Sequence, residues 1–280
     1  MTRPFNLVDV FGTDPFTGNP LGVIADAEGL ATEEMQAITR WLNLSETTFL
    51  LPPTDPAADY RVRIFTLAHE LPFAGHPTLG SAHAWIEAGG RPKQDGVIVQ
   101  ECGAGLVTIR QEGGQLAFAA PPLLRRGAPT EAEIAEVADV LRIDRGAIVD
   151  AAWVDNGPGW IAVMLESADA VLALEPARRH AKRIDIGVVG PHAAANEAAF
   201  EIRAIFSDGH GVLIEDPVTG SLNASVGQWL FASGRAHGAY VAAQGTRLGR
   251  TGRVHVSQDD AGQVWVAGAT RTLFIGRSDG

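Results

Sequence analysis

The sequence predicts a mixed α+β fold made of two similar halves. Three observations carry that prediction. Many short β-like runs are punctuated by glycine, which supplies 32 of the 280 residues, against an average of roughly 7%. Helical segments are few. The chain also repeats itself at half its own length, as two motifs that recur in the same order at nearly the same spacing.

Taken in order, strands are expected at 6–11, 22–24, 48–51, 60–66, 97–100, 106–110, 115–119, 161–165, 202–207, 253–257 and 264–267. The alternation Tyr60-Arg61-Val62-Arg63-Ile64 fits a half-exposed strand. The clearest helix is 32–42. Thr32 can cap it, Glu33 and Glu34 sit in its positive first turn, and Met35, Ile38, Trp41 and Leu42 form one apolar face. Helices are also expected at 130–141 and 220–231, and a short apolar one follows Gly80.

The repeat divides the chain. Arg63-Ile64-Phe65-Thr66 answers Ala204-Ile205-Phe206-Ser207, and His76-Pro77-Thr78-Leu79-Gly80-Ser81 answers Asp216-Pro217-Val218-Thr219-Gly220-Ser221. The expected halves are 1–122, joined by a C-terminal strand 270–280, and 123–269. The changeover falls where Pro-Pro, Arg-Arg and Gly-Ala-Pro cluster between Pro121 and Thr130.

In each half a strand and a short loop lead to a glycine and an apolar helix. Glycine lets backbone approach a ligand, and the first free N–H groups of a helix hold an anion. The loops also carry titratable groups ahead of prolines, His76 before Pro77 and Asp216 before Pro217. Proline restricts its predecessor to extended geometry, so both side chains are held. Each has an ordinary reading too: a helix cap for Asp216, a satisfied core histidine for His76. Glu46 is the third candidate. Placed at the entrance to a strand, it is either a solvated carboxylate or, facing a closed apolar cleft, an acid/base group working near neutral pH.

Other chemistries are excluded. The net charge of −11 repels phosphate backbones and argues against nucleic acid. No apolar run approaches the ~18 residues of a membrane span, and residues 1–24, with Asp9, Asp14 and three prolines, do not read as a signal peptide. One cysteine, Cys102, rules out an internal disulfide and a two-thiol acid/base pair, and fits a cytoplasmic protein. GxGxxG, Walker A, HExxH and GxSxG motifs are missing, and the eight histidines lack ligand spacing, so no metal is expected.

Several motifs together carry a family resemblance. They are Asp9-Val10-Phe11 with Gly18-Asn19-Pro20, Asn43-Leu44-Ser45-Glu46-Thr47-Thr48-Phe49, Phe73-Ala74-Gly75-His76-Pro77, Glu215-Asp216-Pro217-Val218-Thr219-Gly220-Ser221, and Gln244-Gly245 with Gly249-Arg250. The sequence resembles the PhzF family of phenazine-biosynthesis-like isomerases from about residue 5 to the end. The resemblance implies the diaminopimelate epimerase-like fold, in which each half wraps a curved, mostly antiparallel sheet around a central helix and the active site lies in the cleft between halves. It also implies a homodimer, no cofactor, and a small carboxylate substrate. An enzyme of that family isomerises trans-2,3-dihydro-3-hydroxyanthranilate by moving a proton between ring carbons. Carried over residue by residue, the catalytic positions are Glu46, His76 and Asp216, and the substrate-binding ones Ser45, Gly75, Gly220 and Ser221. Two alternatives stay open: a thiol-independent amino-acid racemase or epimerase, and a non-catalytic binding protein of the same fold. Leu67, Pro217-Val218 and Leu222-Asn223 depart from the family pattern and bear on substrate choice.

Overall fold

The structure is a computed structural model that describes residues 2–279. In chain order its elements are β1 (Thr2–Val10), β2 (Asn19–Ile24), α1 (Thr32–Leu42), β3 (Glu46–Leu51), β4 (Tyr60–Thr66), β5 (Glu70–Leu71), α2 (Gly75–Glu87), β6 (Val97–Cys102), β7 (Gly105–Glu112), β8 (Gln115–Ala119), β9 (Arg125–Gly127), α3 (Glu131–Leu141), β10 (Asp150–Asp155), β11 (Trp160–Met164), α4 (Ala168–Leu172), β12 (Asp185–Pro191), β13 (Phe200–Ser207), β14 (Leu213–Asp216), α5 (Gly220–Ala232), β15 (Tyr240–Gln244), β16 (Gly252–Gln258), β17 (Val264–Gly268) and β18 (Thr270–Asp279). No helix among the described residues is long and apolar enough to cross a membrane. The chain forms two compact units, Met1–Ala119 with Ala267–Gly280, and Ala120–Val266.

In the first unit β1 pairs antiparallel with both β18 and β2. The sheet continues through β3, parallel to β2, and β4, antiparallel to β3. Beyond β4 lie the two-residue β5 and the parallel β6, then β7 and β8 in antiparallel order. Helix α2 packs against β1, β2, β3, β6, β8 and β18, so it is the element that the sheet surrounds. It can be buried on nearly every side because it is built from small and apolar residues. Gly80 permits the closest approach. A Cβ there would meet Leu21 Cδ2 at 2.5 Å and Val10 Cγ2 at 3.0 Å. The opposite sheet face is covered by α1, where Met35 joins Ile24, Phe49, Leu51 and Phe65 in a core.

The second unit repeats this wiring. β10 pairs antiparallel with β9 and β11, β11 parallel with β12, β12 antiparallel with β13, and β13 with β14 and the parallel β15. Thus β9 stands to β10 as β18 stands to β1. Helix α5 is the buried counterpart of α2, pressed so close to β12 that a Cβ on Gly187 would lie 2.5 Å from Leu222 Cδ1. Helices α3 and α4 cover the other face, with Val137, Leu141, Val171, Val163, Ile186 and Ile205 in one core.

Several expectations need correction. The 60–66 and 115–119 strands and the 32–42 helix coincide with β4, β8 and α1. However, Ala31 is the N-cap of α1, and Thr32 instead accepts a hydrogen bond from Arg63 Nη2 at 3.0 Å. Trp41 is 83% exposed and takes no part in the core. Helix α2 begins at Gly75, so His76 and Pro77 lie inside its first turn; proline is tolerated there because early N–H groups have no intrahelical partner. Neither α2 nor α5 has a side chain capping its first amides. The register also corrects the repeat. Phe65 faces Glu70 across β4–β5 as Ile205 faces Glu215 across β13–β14, which makes Arg63 the counterpart of Arg203, one residue from the sequence match.

Candidate active site

Glu46 opens β3. Asn43 ends α1 in the left-handed region at φ 55°, and two residues later the chain enters the strand through Ser45, which is half-buried. Along β3, Phe49 and Leu51 join the α1-facing core. Side chains alternate along a strand, so Glu46 and Thr48 face the other way, toward α2. Thr48 confirms the direction: its Oγ1 accepts a hydrogen bond from Ser81 Oγ of α2 at 2.9 Å.

That face brings Glu46 to His76, the second residue of α2. Glu46 Oε2 lies 3.6 Å from His76 Nδ1, and Asn19 Nδ2 lies 3.4 Å from the same nitrogen. The imidazole is almost fully buried, and burial lowers its pKa to about 3 against the opposing effect of a hydrogen bond that the ring donates to the Pro20 carbonyl. The ring is therefore neutral at pH 7. The contact is a carboxylate beside a neutral imidazole, at a long separation, and not an ion pair. Gly75, buried at the start of α2, adjoins this pair.

Asn19 was not singled out by sequence reasoning, although the Gly18-Asn19-Pro20 motif was visible. Its position comes from the loop after β1. The buried Asp9 carboxylate accepts the Gly18 N–H at 2.8 Å and the Thr17 N–H at 3.1 Å. Only glycine fits at 18, since a Cβ there would lie 2.2 Å from the Val10 carbonyl oxygen. The folded loop delivers Asn19 to the first residue of β2, fully buried beside His76.

In the second unit Glu215 and Asp216 end β14, and they do different work. Glu215 forms a two-pronged pair with buried Arg203, Nε–Oε1 at 3.0 Å and Nη2–Oε2 at 2.7 Å, while Arg203 Nη1 donates to the Val171 and Leu174 carbonyls at 3.1 and 2.9 Å. Every prong of the guanidinium is thus held by β14 or the end of α4. Asp216 is half-buried, and its Oδ2 accepts from Thr219 Oγ1 at 2.5 Å. Gly220 and Ser221 are buried at the start of α5, and Asn156 Nδ2 donates to the Ser221 carbonyl at 2.8 Å. The structure brings Glu46, His76 and Gly75 together in one unit, and Asp216, Gly220 and Ser221 together in the other.

No cluster of three His, Cys, Asp or Glu side chains suited to a metal occurs among the described residues. The lone thiol, Cys102, has its pKa raised by burial.

The family model of phenazine biosynthesis-like proteins, PhzC-PhzF, matches residues 8–276. The chain belongs to this family. Antisense-enhancing sequence 1 of Schizosaccharomyces pombe is 35% identical over 295 residues, covering 98% of each chain. Trans-2,3-dihydro-3-hydroxyanthranilate isomerase of Pseudomonas aeruginosa is 32% identical, covering 92% of this chain and 91% of its own. The crystal structure of the Bacillus anthracis phenazine biosynthesis protein of the PhzF family superposes with a TM-score of 0.81 over 99% of both chains, at 23% identity. The fold is the diaminopimelate epimerase-like α+β fold, and this PhzF-family chain is an isomerase.

Proposed function

We propose that this isomerase moves a proton within a small carboxylated substrate, with Glu46 as the group that takes the proton and returns it. The observation that carries this reading is the Glu46–His76 pair: a carboxylate held 3.6 Å from a buried imidazole that stays neutral because its pKa is near 3. A neutral ring leaves the carboxylate as the proton carrier at pH 7 and can orient it or a substrate oxygen by hydrogen bonding. A protonated ring would instead hold Glu46 ionised and resist its protonation.

The start of α2 supplies the carboxylate-binding element. Ala74, its N-cap, has no side chain to accept from the first amides, and the positive end of the helix there favours an anion. Gly220 and Ser221 present the same kind of helix start on α5, which is likewise without a side-chain cap. Asp216 is assigned to the reaction as a second titratable group, and Ser45 to substrate contact beside Glu46. The trans-2,3-dihydro-3-hydroxyanthranilate acted on by the Pseudomonas relative is the first substrate to try. A homodimer in the cytoplasm is the working assembly, which light scattering coupled to gel filtration checks.

The test is Glu46→Gln assayed with trans-2,3-dihydro-3-hydroxyanthranilate and then with other small cyclic carboxylates. Turnover should drop about 10²–10⁴-fold while the thermal midpoint stays near that of the parent protein. Parent-protein reactions run in deuterated water should label the product at the carbon that receives the proton. Undiminished turnover in the variant would remove Glu46 from its role.

A further inference from the structure

We propose that Gln244 is a positioning residue that, acting through Thr219, fixes the direction in which the Asp216 carboxylate points. The proposal rests on the assignment of Asp216 to the reaction made above. Gln244 is the last residue of β15 and is fully buried. Its Oε1 accepts two hydrogen bonds, from the Thr219 N–H at 3.0 Å and from Asn223 Nδ2 at 2.8 Å. Its Nε2 donates two, to Thr219 Oγ1 at 2.9 Å and to the Asp216 carbonyl at 3.2 Å.

Two backbone groups fix which end of the amide is which. The Thr219 N–H can only donate, so the oxygen must face it; the Asp216 carbonyl can only accept, so the nitrogen must face that. With both N–H groups and both lone pairs used, the amide cannot turn over. The consequence falls on Thr219. Its hydroxyl receives a proton from Gln244, so its own single proton goes to Asp216 Oδ2, at 2.5 Å. Without Gln244 the hydroxyl is free to rotate, and the carboxylate loses its fixed donor.

The first unit supplies an internal control. Gln100, on the equivalent parallel strand β6, donates from Nε2 to Thr78 Oγ1 at 3.0 Å and accepts from the Tyr60 hydroxyl at 2.8 Å. Thr78 passes its own proton to the Ala74 carbonyl at 2.9 Å. That chain ends on the backbone of α2, whereas the chain from Gln244 ends on a carboxylate. Both glutamines brace a helix start, but only one also aims a titratable group.

The experiment compares Gln244→Leu, Thr219→Val, Thr219→Ser and Gln100→Leu in the full chain. The readout is the ¹³C carboxyl signal of Asp216, assigned by its loss in Asp216→Asn. In Gln244→Leu and Thr219→Val its titration should move up by about half a pH unit or more, since a donor to the charged form is lost. Thr219→Ser, which keeps the hydroxyl, should restore the parent titration, and Gln100→Leu should leave it unmoved. An unmoved signal in Thr219→Val, a change of similar shape that keeps the Thr219 N–H bond to Gln244, overturns the proposal. So does an equal shift in Gln100→Leu, which would mean general loosening. Turnover separates the two levels: kcat of Gln244→Leu should fall about tenfold with KM little changed. If the signal moves while Asp216→Asn keeps full activity, the aiming stands and the catalytic assignment of Asp216 fails.

Discussion

The two units share a wiring diagram and differ in what they hang on it. Each has an arginine gripping a glutamate with two prongs from equivalent strands, Arg63 of β4 with Glu70 and Arg203 of β13 with Glu215. Each has a glutamine bracing the start of its central helix. The position that carries Glu46 in β3, opposite Thr66, is held in β12 by Asp185, opposite Phe206. Asp185 is tied at 3.0 Å to Arg183, while Glu46 meets a neutral histidine. At the second residue of the central helix, His76 in α2 becomes Ser221 in α5, so the helix starts replace the sequence match of His76 with Asp216. Repeated positions are scaffold, and the proposed acid/base group Glu46 and its histidine sit where the repeat breaks.

The sharpest way to break the comparison is at the two arginines. Arg203 and Glu215 expose only 5% and 13% of their side chains, against 24% and 37% for Arg63 and Glu70. Removing one member of a buried pair strands a charge and costs about 3–5 kcal/mol, whereas an exposed pair is worth about 0–1 kcal/mol. Arg203→Ala should therefore lower the urea-unfolding free energy several times more than Arg63→Ala. Equal losses would show that the two bridges are equivalent despite their burial.

His76 gives the next largest effect. Its pKa is depressed in the folded chain, from 6.5 to about 3, so below pH 6.5 the unfolded chain binds a proton that the folded one refuses. Stability then declines as pH falls from 6.5 toward 3, at up to about 1.4 kcal/mol per pH unit for this one proton. His83 and His255, also lowered by burial, add losses of the same sign. The variant His76→Gln should remove one proton's share of the slope in denaturation curves at pH 4.5 and 7. Ser221→Ala, at the matching place in α5, should leave the slope unchanged.

The smallest effect contrasts helix starts. Thr130 caps α3: its Oγ1 accepts the Glu133 N–H at 3.3 Å, and Glu133 Oε2 takes the Thr130 N–H at 2.7 Å. Ala31, at the same place before α1, has only the second half of this exchange, from Glu34 at 2.7 Å. Thr130→Ala should lose about 1 kcal/mol, and Ala31→Ser should gain about 0.5 kcal/mol. Thermal melts that show no gain at Ala31 would mean that α1 is held by its core face alone.

Much of the fold was legible because its signals are local. Tyr60–Thr66 alternates with the period of a strand half in solvent, and the face of α1 that carries Met35 meets the core. Strands such as β12 and β15 escaped notice because residues buried on both faces do not alternate. Trp41 misled because an apolar residue at helical spacing need not find a partner. Of the candidate site, Glu46, His76 and Asp216 were legible as motif residues. Asn19 and Gln244 stand in motifs that are just as visible, but their roles were not legible, since a polar amide says nothing locally about what it will face.

By itself, then, the amino-acid order determined the strand-rich repeat, the lack of paired cysteines for thiol chemistry, and the short list of titratable candidates. All of these are properties of neighbours along the chain. Tertiary structure alone decided that Glu46 faces α2, that the His76 ring stays neutral, and that Gln244 reaches Asp216 through Thr219. Those facts depend on register, burial and the direction of hydrogen bonds between segments up to 57 residues apart, as Asn19 and His76 are. A one-residue slip of β3 would have turned Glu46 toward the opposite face.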